Sequence, residues 1–255
     1  MNQSMNDSDP TVEWLERLNA PLLAYCRSAG RSPGTVFLGG FASDMTGTKA
    51  TALEAAARAA GRSFLRFDYR GHGQSGNRIE DSTIGDWLSD ALAMFDRLTE
   101  GPQILVGSSM GGWIALLVAL ARPERVRALV GVAAAPDFTE RLVRQELSAS
   151  DQEALARDGV LYRPSQYGPP TPFTAALLEE GRKHLLLDRP IPIRLPVRLL
   201  HGQLDPDVPW ELSLTLAERL ESKDVRVILV KDGDHRLSRP NDIDLLTTTV
   251  DELAD

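Results

Sequence analysis

The chain contains one cysteine, Cys26, in 255 residues. An internal disulfide and a cysteine-built metal site are both excluded, and Cys26 reads as a small packed residue, not a reactive thiol. Histidine is also scarce, with four in the chain, and none stands in a His-Glu-x-x-His pattern. There is no Walker lysine. Gly71, Gly73 and Gly76 follow a strand-like run without the dinucleotide fingerprint or a convincing downstream acid. No metal and no cofactor are therefore expected. Basic charge is in deficit, with 28 Lys and Arg against 36 Asp and Glu and a net charge of −8. Nucleic acid and anionic membrane surfaces are poor partners for such a chain. The longest apolar run, Trp113 to Ala121, is far too short to cross a bilayer. Met1 to Pro10 has neither a basic region nor an apolar core, so it reads as neither secretory signal nor transit peptide. The expectation is a frayed tail on a cytoplasmic protein.

What is present is enough apolar material, 42% of the residues, for one large α/β domain over 1–255. Short apolar runs at Pro21–Cys26, Thr35–Leu38, Ser63–Tyr69, Gln103–Val106 and Ala128–Ala134 read as strands. Between them, Lys49–Ala60, Thr83–Thr99 and Gly112–Ala121 read as helices, the second with Ile84, Trp87, Leu88, Leu92 and Phe95 at helical spacing. Such alternation implies crossover connections and a mostly parallel central sheet with helices on both faces. The rhythm breaks from Asp137 to Arg194. That segment is charged and rich in proline, shows no evident strand, and offers helical pieces at Phe138–Leu147, Asp151–Arg157 and Phe173–Leu187. Residues 137–194 are expected to be a helical cap insertion. The rhythm resumes with strands Val197–Leu200 and Val225–Val230 and helices Trp210–Leu220 and Asn241–Leu253.

The most informative stretch is Gly107-Ser108-Ser109-Met110-Gly111, a Gly-x-Ser-x-Gly turn between a strand and a helix. Such a turn holds its serine at a strained backbone angle, with the hydroxyl pointing out of the sheet. A serine hydroxyl is a poor nucleophile until an oriented base takes its proton. In parallel sheets such groups gather in loops beyond the carboxyl ends of the strands. Those loops offer Ser109, then Asp205, then His235, the order serine, acid, histidine of the α/β-hydrolase fold. His201 reads as a structural hydrogen-bonding group, His72 as ordering its own loop, and His184 as a solvated residue of the insertion. Asp205 is favoured as the acid over Asp207, with Asp137 an alternative. The oxyanion of acyl transfer needs two donors. The N–H groups of Met110 and of Phe41, in the glycine loop after an earlier strand, are placed to supply them. Phe138, Leu142, Leu177 and Leu178 are expected to be buried faces of the cap that also line an acyl pocket.

Several segments together carry a resemblance. Phe37-Leu38-Gly39-Gly40-Phe41, Arg66-Phe67-Asp68-Tyr69, Gly107-Ser108-Ser109-Met110-Gly111-Gly112-Trp113, Leu199-Leu200-His201-Gly202 and Asp234-His235-Arg236 make the chain similar to the mitochondrial α/β-hydrolase depalmitoylases. That group includes the esterase acting on mycophenolic acid acyl-glucuronide. The resemblance runs from about Pro21 to the C-terminus and is weakest in the cap. It implies the α/β-hydrolase fold and matches Ser109, Asp205 and His235 to the family triad. A departure is Gly39-Gly40, where the family commonly has Pro-Gly before the oxyanion residue. The expectation is a serine hydrolase that cleaves acyl thioesters or carboxylic esters through an acyl-enzyme. Its partner would be a small acyl ester or thioester, or an S-acylated protein. A carbon–carbon bond hydrolase and a non-catalytic hydrolase-like receptor remain as alternatives.

Overall fold

The computed structural model describes residues 11–165 and 168–255. Its first half runs β1 (Glu13–Leu15), β2 (Leu23–Ser28), β3 (Arg31–Leu38), α1 (Thr48–Ala59), β4 (Arg62–Phe67), α2 (Ile84–Leu98), β5 (Gln103–Ser108), α3 (Met110–Ala121) and β6 (Val126–Val132). The second half runs α4 (Ala149–Asp158), β7 (Val160–Arg163), β8 (Thr171–Thr174), α5 (Ala175–Gly181), β9 (Val197–Gly202), α6 (Glu211–Arg219), β10 (Val225–Val230) and α7 (Pro240–Ala254). Eight strands form one sheet in the order β1-β2-β4-β3-β5-β6-β9-β10. β1 and β2 pair antiparallel at one edge, and every pairing from β4 to β10 is parallel.

The two-residue alternation of side chains sorts the middle strands between two cores. In β5, Ile104 and Val106 face a core made with Ala50, Leu53 and Ala57 of α1 and Leu246 and Val250 of α7. Leu105, between them, faces the opposite core with Trp87 and Phe95 of α2 and Trp113 of α3. β3 and β6 divide in the same way, with Phe37 and Val130 on one side and Val36 and Leu129 on the other. α3 is apolar all round and buried from Met110 to Ala119, as a helix on the central strand of a covered sheet must be. It lies so close to the end of β3 that a methyl group on Gly111 would run into the Leu38 carbonyl oxygen. Glycine is required there for room.

The chain between β6 and β9 departs from expectation in five respects. A two-stranded antiparallel hairpin, β7 with β8, stands where no strand was read. Its sequence signal was present in Val160-Leu161-Tyr162 and Thr171, but the prolines around it obscured the pattern. Residues 138–147 form a π-turn at Thr139–Val143 followed by a 3-10 turn at Arg144–Glu146, not one helix. The piece read as Phe173–Leu187 contracts to α5, because Phe173 belongs to β8 and Thr174 caps the helix by accepting from Leu177 N. α4 begins at Ala149, two residues before the expected Asp151, with Ser148 and Asp151 forming a capping box. His184 is half-buried, its Nε2 2.6 Å from Glu180 and its carbonyl accepting from Trp113 Nε1 at 3.1 Å, so it is solvated only in part.

The close approach at Gly111 is testable by urea unfolding. Gly111→Ala should lose about 2–4 kcal/mol through backbone displacement. Gly168→Ala, where nothing lies within 4 Å of the added carbon, should stay within about 0.5 kcal/mol of the parent.

Candidate active site

Ser109 sits between β5 and α3 with φ 54° and ψ −120°. A non-glycine residue at positive φ costs on the order of 1–3 kcal/mol and persists only where its surroundings over-determine it. They do so here through the backbone on both sides. Ser109 N donates to Val132 O at 2.9 Å, and Ser109 O accepts from Gly112 N at 2.9 Å and Ala135 N at 3.1 Å. The side chain is thereby presented at the carboxyl edge of the sheet.

The two later loops are built onto each other before they reach the serine. Gln203 N donates to Val230 O, and Leu204 N to Gly233 O, each at 2.9 Å. Gly202 packs so tightly against Gly233 that a side chain would overlap its carbonyl. Asp234 shapes the following turn by accepting from Arg236 N at 3.1 Å and Leu237 N at 3.0 Å. This brings Asp205 Oδ2 to 2.7 Å from His235 Nδ1, and His235 Nε2 to 3.1 Å from Ser109 Oγ. With Asp205 as acceptor, the network assigns the imidazole proton to Nδ1 and leaves Nε2 to accept from the serine hydroxyl.

The Asp205 side chain is fully buried, whereas that of His235 is 15% exposed. Burial pushes the Asp205 carboxyl up. Hydrogen bonds from His201, His235 and the Val208 amide outweigh it and hold the group well below the usual carboxylate range. His201 is itself completely buried. Its Nδ1 accepts from Ser213 Oγ at 2.7 Å, leaving Nε2–H to face Asp205 and Val208 O, both at 3.1 Å. It is the structural group expected.

Asp207 is exposed, and its backbone amide donates to Asp205 Oδ1 at 2.8 Å. Asp205, Asp207 and His235 offer ligand atoms within 4.8 Å of one another. Two of the three are already bonded to each other, which leaves a cation little to gain. Asp137, the alternative acid, is engaged elsewhere. Its carboxylate accepts from Leu186 N at 2.9 Å and Leu187 N at 2.8 Å, tying the returning limb of the insertion to the end of β6.

Ser109, Met110, Phe41 and His235 line a cleft of about 1300 Å³. Gly40 brings the glycine loop against the serine, its side-chain direction pointing 3.4 Å from Ser109 Cβ. Phe138 and Leu142 line the cleft as expected. Leu177 and Leu178 do not. They are 2% and 1% exposed within the core against α2 and α3, because the amphipathic face of α5 is spent on fixing the insertion to the sheet layer. Phe173 of the unforeseen hairpin takes the place expected of them, its ring 5.4 Å from that of Phe41. At the polar end of the cleft, Lys49 Nζ donates to the carbonyl of Arg236, the residue after His235. Burial, aided by the Arg236 charge, pushes the Lys49 ammonium down to about 8. The sequence held no signal for that contact, since its partners are far apart in the chain.

Comparison with known proteins decides the family. A model described as serine aminopeptidase, S33 matches residues 35–157. The mitochondrial palmitoyl-protein thioesterase ABHD10 of Bos taurus is 45% identical over 249 residues, which cover 96% of this chain and 80% of the relative. The Homo sapiens protein of that name is 44% identical over 247 residues, covering 96% and 80%. The chain belongs to the ABHD10 family of α/β-hydrolases. The structure of the mouse α/β hydrolase domain-containing protein 10 superposes with a TM-score of 0.88 at 43% identity, covering 95% of this chain and 98% of that one. As a member of the ABHD10 family the chain has the α/β-hydrolase fold and is a serine hydrolase, which removes the non-catalytic reading. The cytoplasmic expectation is overturned as well. The ABHD10 relatives are mitochondrial and point to the mitochondrion.

Asp205→Asn should lower kcat roughly 10⁴-fold, as loss of the orienting acid does elsewhere, with Asp207→Asn within about threefold of wild type. The depressed carboxyl also predicts a stability signature. Its contribution is present above the unfolded value of about 3.9 and is lost as pH falls through the lower folded value. The difference in thermal midpoint between wild type and Asp205→Asn should therefore shrink below about pH 4.

Proposed function

We propose that the protein cleaves acyl thioesters or carboxylic esters through an acyl-enzyme on Ser109. The observation that carries this is the hydrogen-bonded series from buried Asp205 through His235 to Ser109, at 2.7 Å and 3.1 Å. His235 Nε2 takes the hydroxyl proton as Ser109 Oγ adds to the carbonyl carbon. Asp205 stays ionised, orients the ring and stabilises the imidazolium. The N–H groups of Phe41 and Met110 hold the oxyanion, each donor worth ~3 kcal/mol in the transition state. When the tetrahedral intermediate collapses, the leaving thiol or alcohol receives the proton from His235. Water then repeats the sequence to free the acid and the serine.

The thioester class is supported by relatives named palmitoyl-protein thioesterase, and the apolar wall of Phe41, Phe138, Leu142 and Phe173 suits an acyl chain. In this reading residues 137–194 form a cap on a single domain spanning 1–255, and the acyl group lies between cap and sheet.

A fluorophosphonate should label wild type and leave Ser109→Ala unlabelled, with kcat reduced roughly 10⁴-fold or more. Wild-type turnover by Ser109→Ala would refute the mechanism. Across acyl thioesters, p-nitrophenyl esters and acyl-glucuronides, Phe138→Ala should raise KM for long acyl chains about tenfold or more while leaving acetyl esters little changed, as lost burial of roughly 1.5–3 kcal/mol requires.

A further inference from the structure

His72, in the loop after β4, is 3% exposed and takes no part in the proton relay. Its surroundings nevertheless lead to the loop that carries Phe41. Gly40 to Ser43 make a tight turn. The Gly40 carbonyl accepts from Ser43 N at 3.3 Å and Ser43 Oγ at 2.8 Å. Because the Gly40–Phe41 peptide is trans, fixing its carbonyl toward Ser43 turns the Phe41 N–H to the opposite side. The third residue of the turn, Ala42, has φ 55°. Turns of this shape ordinarily place glycine there, and an alanine at that angle costs roughly 1–2 kcal/mol. Something outside the turn has to hold it.

The group that does so is the His72 imidazole. Its Nε2 accepts from Ala42 N at 3.1 Å, while Nδ1 faces Arg70 O at 3.1 Å. Arg70 O can only accept and Ala42 N can only donate, so the ring is neutral with its proton on Nδ1. Burial lowers the His72 pKa and favours that form. The rings of Tyr69 at 5.7 Å and Trp87 at 5.3 Å meet the imidazole edge-on and fix its plane. A second link between the same loops is independent of His72. The Asp68 carboxylate accepts from Met45 N at 2.7 Å and Gln74 N at 2.8 Å. The loops thus stay joined without His72, and only the strained turn loses its support.

We propose that His72 is a positioning residue for the oxyanion site, holding the Ala42 amide so that the preceding amide, Phe41 N–H, faces the developing oxyanion. The inference rests on the assignment of Phe41 as an oxyanion donor. The His72 ring borders the cleft but is almost wholly buried, and its bond to Ala42 N gives it an effect on the transition state with little effect on ground-state binding.

The test compares His72→Phe, His72→Asn and His72→Gln with wild type in kcat, KM, thermal midpoint and affinity for an acyl trifluoromethyl ketone, whose serine adduct places an oxyanion in the hole. Glutamine can present an oxygen where Nε2 stood, whereas asparagine is too short to reach Ala42. His72→Phe and His72→Asn should lose roughly ten- to a hundredfold in kcat, the scale of a displaced oxyanion donor, with KM within about threefold. Affinity for the ketone should fall by the same factor as kcat, and His72→Gln should recover most of both. Equal kcat in folded His72→Asn and His72→Gln, or a loss confined to KM, would overturn the assignment, and that comparison stands even if His72→Phe does not fold. A wild-type enzyme that forms no adduct with the ketone would instead refute the acyl-transfer reading, and this inference with it.

Discussion

A side chain can stand clear of a parallel sheet only if the backbone beneath it turns more sharply than an L-residue prefers. Ser109 meets that condition at φ 54°. The surrounding structure supplies what the local chain cannot, in the hydrogen bond that Ser109 N donates to Val132 and those that Ser109 O accepts from Ala135 and Gly112, and in a glycine at 111 that lets α3 lie against the end of β3. The rest of the cleft follows from this turn. It aims the hydroxyl at the loops beyond β9 and β10, and it leaves the Met110 amide at the open end of a buried helix.

The same economy holds for the acid and the histidine. Their loops are joined backbone to backbone at Gln203 and Leu204, so the 2.7 Å contact of Asp205 with His235 does not rest on side-chain flexibility. Asp205 has no exposed side-chain surface, and an isolated carboxylate so placed would be driven toward its neutral form. It remains an anion because His201, His235 and the Val208 amide donate to it. His201 thus supports the proposed triad without touching substrate, just as His72 supports the proposed oxyanion site from the opposite side of the serine.

Much of this was legible in the chain. The strand and helix rhythm on either side of residues 137–194 appears in the sheet and its two covering layers, because buried parallel strands leave a strong apolar signal. Ser109, Asp205 and His235 could be selected because few histidines compete and each residue ends a readable strand. The insertion was less legible. Its segments pack against the domain and each other instead of against a sheet, so no single period runs through them. That is why the β7–β8 hairpin passed unread, why Phe173 and not Leu177 or Leu178 came to line the cleft, and why Asp137 proved to be a tether. Location depends on neither packing nor periodicity, and the cytoplasmic expectation drawn from the first ten residues yielded to the mitochondrial relatives.

By itself the sequence determined the layered α/β architecture, the strained serine turn and the cast of ionisable groups, since each is written in local patterns of apolar spacing, glycine and strand ends. The tertiary structure alone decided that Asp137 ties down the insertion, which aromatic rings wall the cleft, and that His72 bonds to the Phe41 loop at Ala42 N. Those outcomes depend on contacts between residues far apart in the chain, and distance in space is what a local pattern does not encode.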